Sequence, residues 1–350
     1  MPLELPSRKE LEKAAGILRK EDGGTDYEYA VGVVARWRSA HFFPVNEYHA
    51  RIRSKLKGLG FKRPLAAQRL KRMPSIIGKL RRFGEMSLAR MQDIGGIRVI
   101  LKDMSEVRMF HSILCKKGMP PETVLLSKDY IQEPKKDGYR SIHQVFRYVN
   151  ATHPELDGLR IEVQIRTELQ HSWATAVETL GVIEKQSFKT GEGGEDFKYF
   201  FKLASALFAI YEKQPVIAEL SEKSDEEIAA EFCELEKRLN VYSKLTSLAV
   251  SDWHIESVES KKSTAYQVLE LDSEKGTLSV VQFTKNQQGQ AEDFYKIRES
   301  AAKQNPGLDV VMVSVGALKE VKKAYPNYFL NNALFVKNAK RICANILGKE

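Results

Sequence analysis

Cysteine is scarce in this 350-residue chain: Cys115, Cys233 and Cys343 lie far apart, with no CxxC pair and no metal-finger spacing. That excludes a disulfide framework or a zinc finger as the organising principle, and the three read as inert thiols. The seven histidines show no HExxH or paired-ligand pattern, so no zinc site is expected. No apolar run approaches the ~18 residues of a membrane span. The segment Met1 to Lys20 carries scattered Glu, Lys and Arg where a secretory signal needs an unbroken apolar stretch. Internal repeats and low-complexity tracts are also missing. These absences lead us to expect a soluble, cytoplasmic protein with no membrane contact.

Acid is missing from one long stretch. Arg51 to Arg82 contains twelve Lys or Arg and no Asp or Glu, within a chain of net charge +9. Such a run fits either a solvated helix face or a surface that binds phosphate, and the size of the imbalance favours a polyanionic partner. With 43% hydrophobic and 29% charged residues the chain can bury a substantial core, in one large domain or two ordinary ones.

Periodicity predicts helices at about 46–59 and 66–82, separated by Gly58 and Gly60. The β-branched run Gly96-Ile-Arg-Val-Ile-Leu101 predicts a buried strand with Asp93 at its entrance. A helix at 104–117 follows, then a loop at 129–139 marked by Pro134 and Asp137-Gly138. Strands are expected at 140–148 and 159–166, and helices at 168–180, 195–213 and 225–248. Two alternating segments (264–271 and 277–283), a helix (289–304), a strand (308–315) and a helical end complete the chain. We therefore divide it into residues 1–254, with N-terminal helices and a helical cover, and a second α+β domain at 255–350.

Side chains alternate along a strand, so Ile161, Val163 and Ile165 face the core while Glu162, Gln164 and Arg166 share the other face. That pattern fits an ordinary half-exposed strand, or a site offering a metal ligand and positioning groups. Asp93, ahead of the neighbouring strand, is either a turn residue or a partner acid; Gly95-Gly96 beside it would let backbone approach a ligand. Mg²⁺ needs only one or two carboxylates beside phosphate oxygens and water, so Asp93 with Glu162 would suffice. Lys71, Ser75 and Lys79 recur every four residues and would form a phosphate ladder on one helix face. Arg69 adds a guanidinium able to stack on a base, and the 129–139 loop sets two lysines beside an aromatic ring, with His143 just beyond.

Taken together, Arg69-x-Lys71-xxx-Ser75-xxx-Lys79, Gln92-Asp-Ile-Gly-Gly-Ile-Arg98, Lys128-Asp-Tyr-Ile-xx-Pro-Lys135-xx-Gly-Tyr139-x-Ser-x-His143 and Glu162-Val-Gln-Ile-Arg-Thr167 closely resemble the synthetase domain of RelA/SpoT homologues. The resemblance implies an α+β fold, a mixed β-sheet flanked by helices, with Mg²⁺ on Asp93 and Glu162. It also implies that Arg69 and Arg98 hold the adenine of ATP, and that Lys71, Ser75 and Lys79 take its phosphates. Tyr139 would stack on the acceptor base, with Lys135, His143, Gln164 and Arg166 around it. No adjacent His-Asp pair marks the hydrolase domain of bifunctional members. The segment Gln170-His-Ser-Trp-Ala-Thr-Ala-Val-Glu-Thr-Leu-Gly181 follows the pattern of the small single-function synthetases.

Ala324-Tyr325-Pro-Asn-Tyr328-Phe resembles the YxxY segment of fused toxin–antitoxin synthetases of the CapRel kind. As isolated residues the two tyrosines fit core aromatics near a helix start better. The resemblance implies an ATP-dependent pyrophosphokinase acting on the 3′-CCA end of tRNA, autoinhibited through Tyr325 and Tyr328 and released by a phage protein. The alternative is synthesis of (p)ppGpp or ppApp on guanosine or adenosine nucleotides.

Overall fold

The computed structural model describes residues 5–20, 22–61, 63–115, 124–183, 194–247, 252–257, 264–272, 275, 277–302, 305, 308–314 and 332–348. Three helices lead in: α1 (Arg8–Lys20), α2 (Thr25–Ala40) and α3 (Phe42–Gly58). Strand β1 (Leu65–Leu70) and helix α4 (Met73–Arg82) follow, then β2 (Gly95–Leu101), α5 (Met104–Ile113), β3 (Val124–Asp129), β4 (Ile142–Arg147) and β5 (Arg160–Thr167). A helical cover is built from α6 (Glu168–Ile183), α7 (Glu195–Tyr211), α8 (Asp225–Leu239) and α9 (Val241–Ser247). The remaining elements are β6 (Asp252–Ser257), β7 (Thr264–Asp272), β8 (Thr277–Thr284), α10 (Gln288–Ala302), β9 (Leu308–Ser314) and α11 (Ala333–Ile346). The fold class is α+β.

The described strands form one mixed sheet in the order β3-β4-β5-β2-β1-β9-β7-β8-β6. Pairs β2/β5 and β6/β8 are parallel and the other pairs antiparallel. One face of the β2–β5 region carries Ile97, Val99, Ile161, Val163 and Ile165, packed on Tyr48 and Ile52 of α3 and on Val107 and Phe110 of α5. Alternation then sends the polar residues of the same strands to the opposite face, where α6 lies.

Two expected elements take a different form. The helix expected at 66–82 is instead β1, a two-residue link and α4. Leu65–Leu70 has a helix-compatible composition, but pairing with β2 on one side and β9 on the other outweighs that propensity. Pro74 marks where the true helix begins, because proline is tolerated in the first turn and disruptive in an interior. The helix expected at 225–248 is broken by Asn240, whose left-handed backbone (φ 52°) ends α8 before α9 restarts.

The C-terminal part is tied to the rest at two places. Through β9 it extends the sheet, pairing Gln68 with Ser314 and Arg69 with Val313. Helix α11 leaves that unit and buries Phe335, Ala339 and Ile342 among α6, α7 and α8 of the cover. A division at 254/255 thus falls inside β6, and the last helix completes the core of the first part. Tyr325 and Tyr328 lie outside the described residues.

A buried ionic cluster reinforces the junction. Arg38 donates two hydrogen bonds to Glu299 of α10, at 2.9 and 2.8 Å, and both residues are almost fully buried. Glu299 also accepts from the Tyr295 hydroxyl (2.6 Å) and from the backbone N–H of Met73 (2.9 Å), the first residue of α4. A carboxylate at a helix N-terminus is favoured by the dipole and satisfies an orphan donor. Arg72 pairs with Asp309 of β9 alongside. Breaking one partner of such a pair strands a buried charge. Arg38→Met is expected to cost about 3–5 kcal/mol, and Arg38→Met/Glu299→Leu to recover more than half of that loss, as read by urea unfolding.

Candidate active site

The parallel register of β2 and β5 sets Gly96 beside Glu162 and Arg98 beside Gln164. The antiparallel neighbours extend both rows: Arg69 stands opposite Gly96, and His143 opposite Gln164. Paired residues share a face, so Arg69, Arg98, Glu162, Gln164, Arg166 and His143 all project to the side that α6 covers. Asp93 lies two residues before β2, at the end of the sheet where Glu162 stands.

Asp93 is gripped by two lysines, Lys71 Nζ at 2.8 Å from Oδ2 and Lys79 Nζ at 3.0 Å from Oδ1. Burial alone would raise its pKa, but the lysine charges outweigh burial and hold it at about 2. Burial in turn lowers the Lys71 pKa, aided by Lys79 and Arg69 and opposed by Asp93. The expected ladder is therefore rearranged. Lys71 precedes α4 and reaches in from the end of β1, Lys79 reaches in from the second turn of α4, and Ser75 sits half-buried in the first turn. They converge from two elements rather than stacking on one.

Glu162 is 8% exposed. Its Oε1 is 2.9 Å from His143 Nδ1, and its Oε2 accepts from Gln164 Nε2 at 2.7 Å. Burial raises its pKa and the His143 hydrogen bond lowers it, with a net fall, so the carboxylate is ionised at neutral pH. An ionised acceptor assigns the Nδ1 proton to His143, whose Nε2 then accepts from the Tyr139 hydroxyl at 2.8 Å. Burial pushes the Tyr139 pKa up, which keeps that hydroxyl protonated. Tyr139, His143 and Glu162 thus form one oriented chain. Asp93 is near enough to raise the Glu162 pKa electrostatically.

Cations crowd the same face. Arg166 is 2% exposed and hydrogen-bonded to His171 Nδ1 at 2.6 Å; burial, with Arg98 and Arg69 nearby, pushes its pKa down to about 9. Lys135 Nζ lies between two rings, 4.6 Å from the Tyr130 centroid and 4.9 Å from that of Tyr139. Tyr130 stands within the Lys128–His143 motif, although the sequence alone assigns it no role.

Of the two glycines expected to admit a ligand, Gly95 has another task. A Cβ there would come within 2.4 Å of Val45 Cγ2, so its smallness seats α3 on the sheet. Gly96 lies on the site face between Arg69 and Glu162 with ordinary room around it, which leaves the floor open. The acid-free stretch 51–82 is also less free in space than in sequence. Arg51 pairs with Glu47, Arg72 with Asp309, Arg81 with Asp22, and Lys71 and Lys79 with Asp93.

Residues 68–191 match the family model described as a region found in RelA / SpoT proteins. Two Bacillus subtilis (strain 168) proteins are similar to the chain: GTP pyrophosphokinase YwaC, 35% identical over 113 residues, which are 31% of this chain and 52% of that one; and GTP pyrophosphokinase YjbM, 34% over 115 residues, which are 32% and 53%. The chain spans about half the length of these curated relatives. Among solved structures, the small alarmone synthetase 1 from Bacillus subtilis bound to its product pppGpp is 25% identical, covers 53% of this chain and 95% of that one, and has a TM-score of 0.40. The matched stretch spans every candidate residue from Arg69 to Arg166.

Among the described residues, no group of three or more His, Cys, Asp or Glu is gathered as a metal cluster, and no helix is long and apolar enough to cross a membrane. Two carboxylates are a donor set of the kind that Mg²⁺ accepts beside phosphate oxygens and water, and too few for a structural zinc.

Because the Asp93 pKa falls from 3.8 to about 2, its carboxylate stabilises the fold by about 2 kcal/mol above pH ~5, and this is lost as pH falls towards 2. Asp93→Asn should flatten the acid limb of the stability curve. Lys71→Met should move the Asp93 carboxyl titration upward, as followed by carbon NMR.

Proposed function

We propose that the chain is an ATP-dependent pyrophosphokinase: a ribose 3′-hydroxyl attacks the β-phosphorus of ATP, the bond from Pβ to the α-phosphate oxygen breaks, and AMP leaves as the β,γ-pyrophosphate is transferred. The observation that carries this reading is the approach of Asp93 and Glu162 on one end of the parallel β2/β5 pair, ringed by Lys71, Lys79, Arg69, Arg98 and Arg166. Asp93 and Glu162 would hold a Mg²⁺, which supplies charge neutralisation at the transferred group. Lys71, Ser75 and Lys79 bind the donor phosphates, with the lysines exchanging Asp93 for phosphate oxygens. Arg69 and Arg98, diagonal neighbours on the site face, flank the adenine.

On the acceptor side, Tyr139 and Lys135 receive the base, with Gln164 and Arg166 behind them. His143 holds Glu162 by Nδ1 and can take a proton at Nε2, the atom now facing the Tyr139 hydroxyl. An incoming 3′-hydroxyl hydrogen-bonded there would find a base connected to an ionised carboxylate. The names of the curated relatives, both GTP pyrophosphokinases, favour a guanosine nucleotide as acceptor.

The second reading is a toxin that modifies the tRNA CCA end and is silenced by its C-terminal part until a phage protein is sensed. What favours it is the docking of that part on the donor-site elements, β9 on β1 and Glu299 on the first turn of α4. Deleting everything after residue 254 is a poor test, because α11 completes the cover core. Asp309→Arg, which opposes Arg72, loosens the junction instead.

With γ-labelled ATP, GDP and tRNA offered together, label is expected in the guanosine nucleotide under the first reading and in tRNA under the second. Asp93→Asn and Glu162→Gln should each lower transfer at least a hundredfold, and wild-type rates in either variant would sink the proposal. A severalfold rise in transfer on Asp309→Arg is expected if the C-terminal part restrains the site; unchanged or lower activity counts against restraint.

A further inference from the structure

The loop 130–141 that presents Lys135 and Tyr139 is held from outside the RelA/SpoT motifs, by a serine on the cover. Ser205 of α7 donates its hydroxyl to the Gly138 carbonyl at 2.6 Å and accepts from Arg140 Nε at 3.0 Å. Arg140 Nη1 donates to the Ile131 carbonyl at 3.2 Å, so the same guanidinium reaches the beginning of the loop. One hydroxyl and one guanidinium thus tie both ends of the loop to one helix.

Packing makes the contact tight. Gly138 has a positive φ (+91°), and a Cβ there would come within 2.9 Å of Ser205 Cβ and 3.3 Å of Trp173 on α6. Trp173 is fixed in turn by a 2.8 Å hydrogen bond from Nε1 to the Phe201 carbonyl of α7. Arg140 is 3% exposed, and its Nη2 makes no hydrogen bond among the described residues. Burial lowers its pKa to about 10, with Glu212 just beyond the end of α7 as the opposing charge. Keeping a charged, incompletely satisfied guanidinium inside the protein is costly for stability. Ordering the loop next to Tyr139 is what that cost sustains.

We propose that Ser205 and Arg140 are positioning residues for the acceptor. Through Gly138 and Ile131 they fix the loop so that the Tyr139 ring and Lys135 meet the acceptor base in one arrangement, while the donor site on β1 and α4 is untouched. The inference rests on the pyrophosphokinase reading for what the loop receives, and on geometry alone for the anchoring.

The test uses Ser205→Ala and Arg140→Lys in the whole 350-residue chain, with initial rates measured against ATP and against whichever acceptor the wild type uses. Amide hydrogen exchange of residues 130–141 is followed in parallel. Expected is a five- to tenfold rise in KM for the acceptor, KM for ATP within twofold of wild type, and faster exchange confined to the loop. Equal changes in both KM values, or an unaltered acceptor KM with an unaltered exchange pattern, would overturn it. A wild type that transfers no label defeats the pyrophosphokinase reading instead, and loop exchange in the two variants then decides the anchoring. Should Ser205→Ala fail to fold, Arg140→Lys keeps the charge and still loses the fork geometry that spans the loop.

Discussion

The parallel pairing of β2 with β5 is the constraint on which the rest of this molecule depends. Residues separated by nearly seventy positions in sequence reach the same end of the sheet because Gly96 registers with Glu162. A one-residue slip would turn Glu162, Gln164 and Arg166 into the apolar layer under α3 and α5, and send Ile161, Val163 and Ile165 to the polar side. The buried apolar face therefore enforces the register, and the register builds the site. Gly95 belongs to this same constraint: only a residue without a side chain lets Val45 seat α3 where β2 enters the sheet.

The elements proposed to bind the donor, β1 and α4, then acquire a second set of dependencies. Strand β1 is central, with β2 on one edge and β9 on the other, so Arg69 cannot shift without disturbing both halves of the sheet. Helix α4 is held at its N-terminus by a carboxylate from α10, and Arg72 between them is paired with Asp309. A nucleotide site normally gains from rigid support. Here the support comes partly from the C-terminal unit, so its position and the geometry of Lys71, Ser75 and Lys79 are mechanically linked.

Much of the site was legible because its signals are local. The period-two alternation in Ile161–Arg166 assigns each side chain to a face, and the structure keeps those assignments. Other features were hidden because they are decided by distant partners. Leu65–Leu70 reads as helix on its own residues and becomes a strand only because two neighbours bond it. The cations of 51–82 look unopposed until Glu47, Asp22, Asp93 and Asp309 arrive from elsewhere. Ser205 carries no signal at all in sequence; its role exists only because Gly138 turns its carbonyl toward α7. The destination of α11 was likewise illegible, since an amphipathic helix announces that it will be buried but not against what.

Charge balance explains why this arrangement is held ready for an anion. Two carboxylates, Asp93 and Glu162, face Lys71, Lys79, Arg69, Arg98 and Arg166, and Arg166 has its pKa pushed down to about 9 by burial and by the other arginines. Such an excess of buried positive charge is unfavourable on its own. Apolar packing on the opposite face holds the strands together against that repulsion, so the cost is borne by the core and not relieved by rearrangement. A polyanion entering the site removes the repulsion, and linkage then requires that its binding stabilise the fold. On the proposed reading a triphosphate would engage Lys71 and Lys79 in place of Asp93. Asp93 would then be free to act as a ligand only once the phosphates had arrived, so that metal and nucleotide would be coupled through one carboxylate.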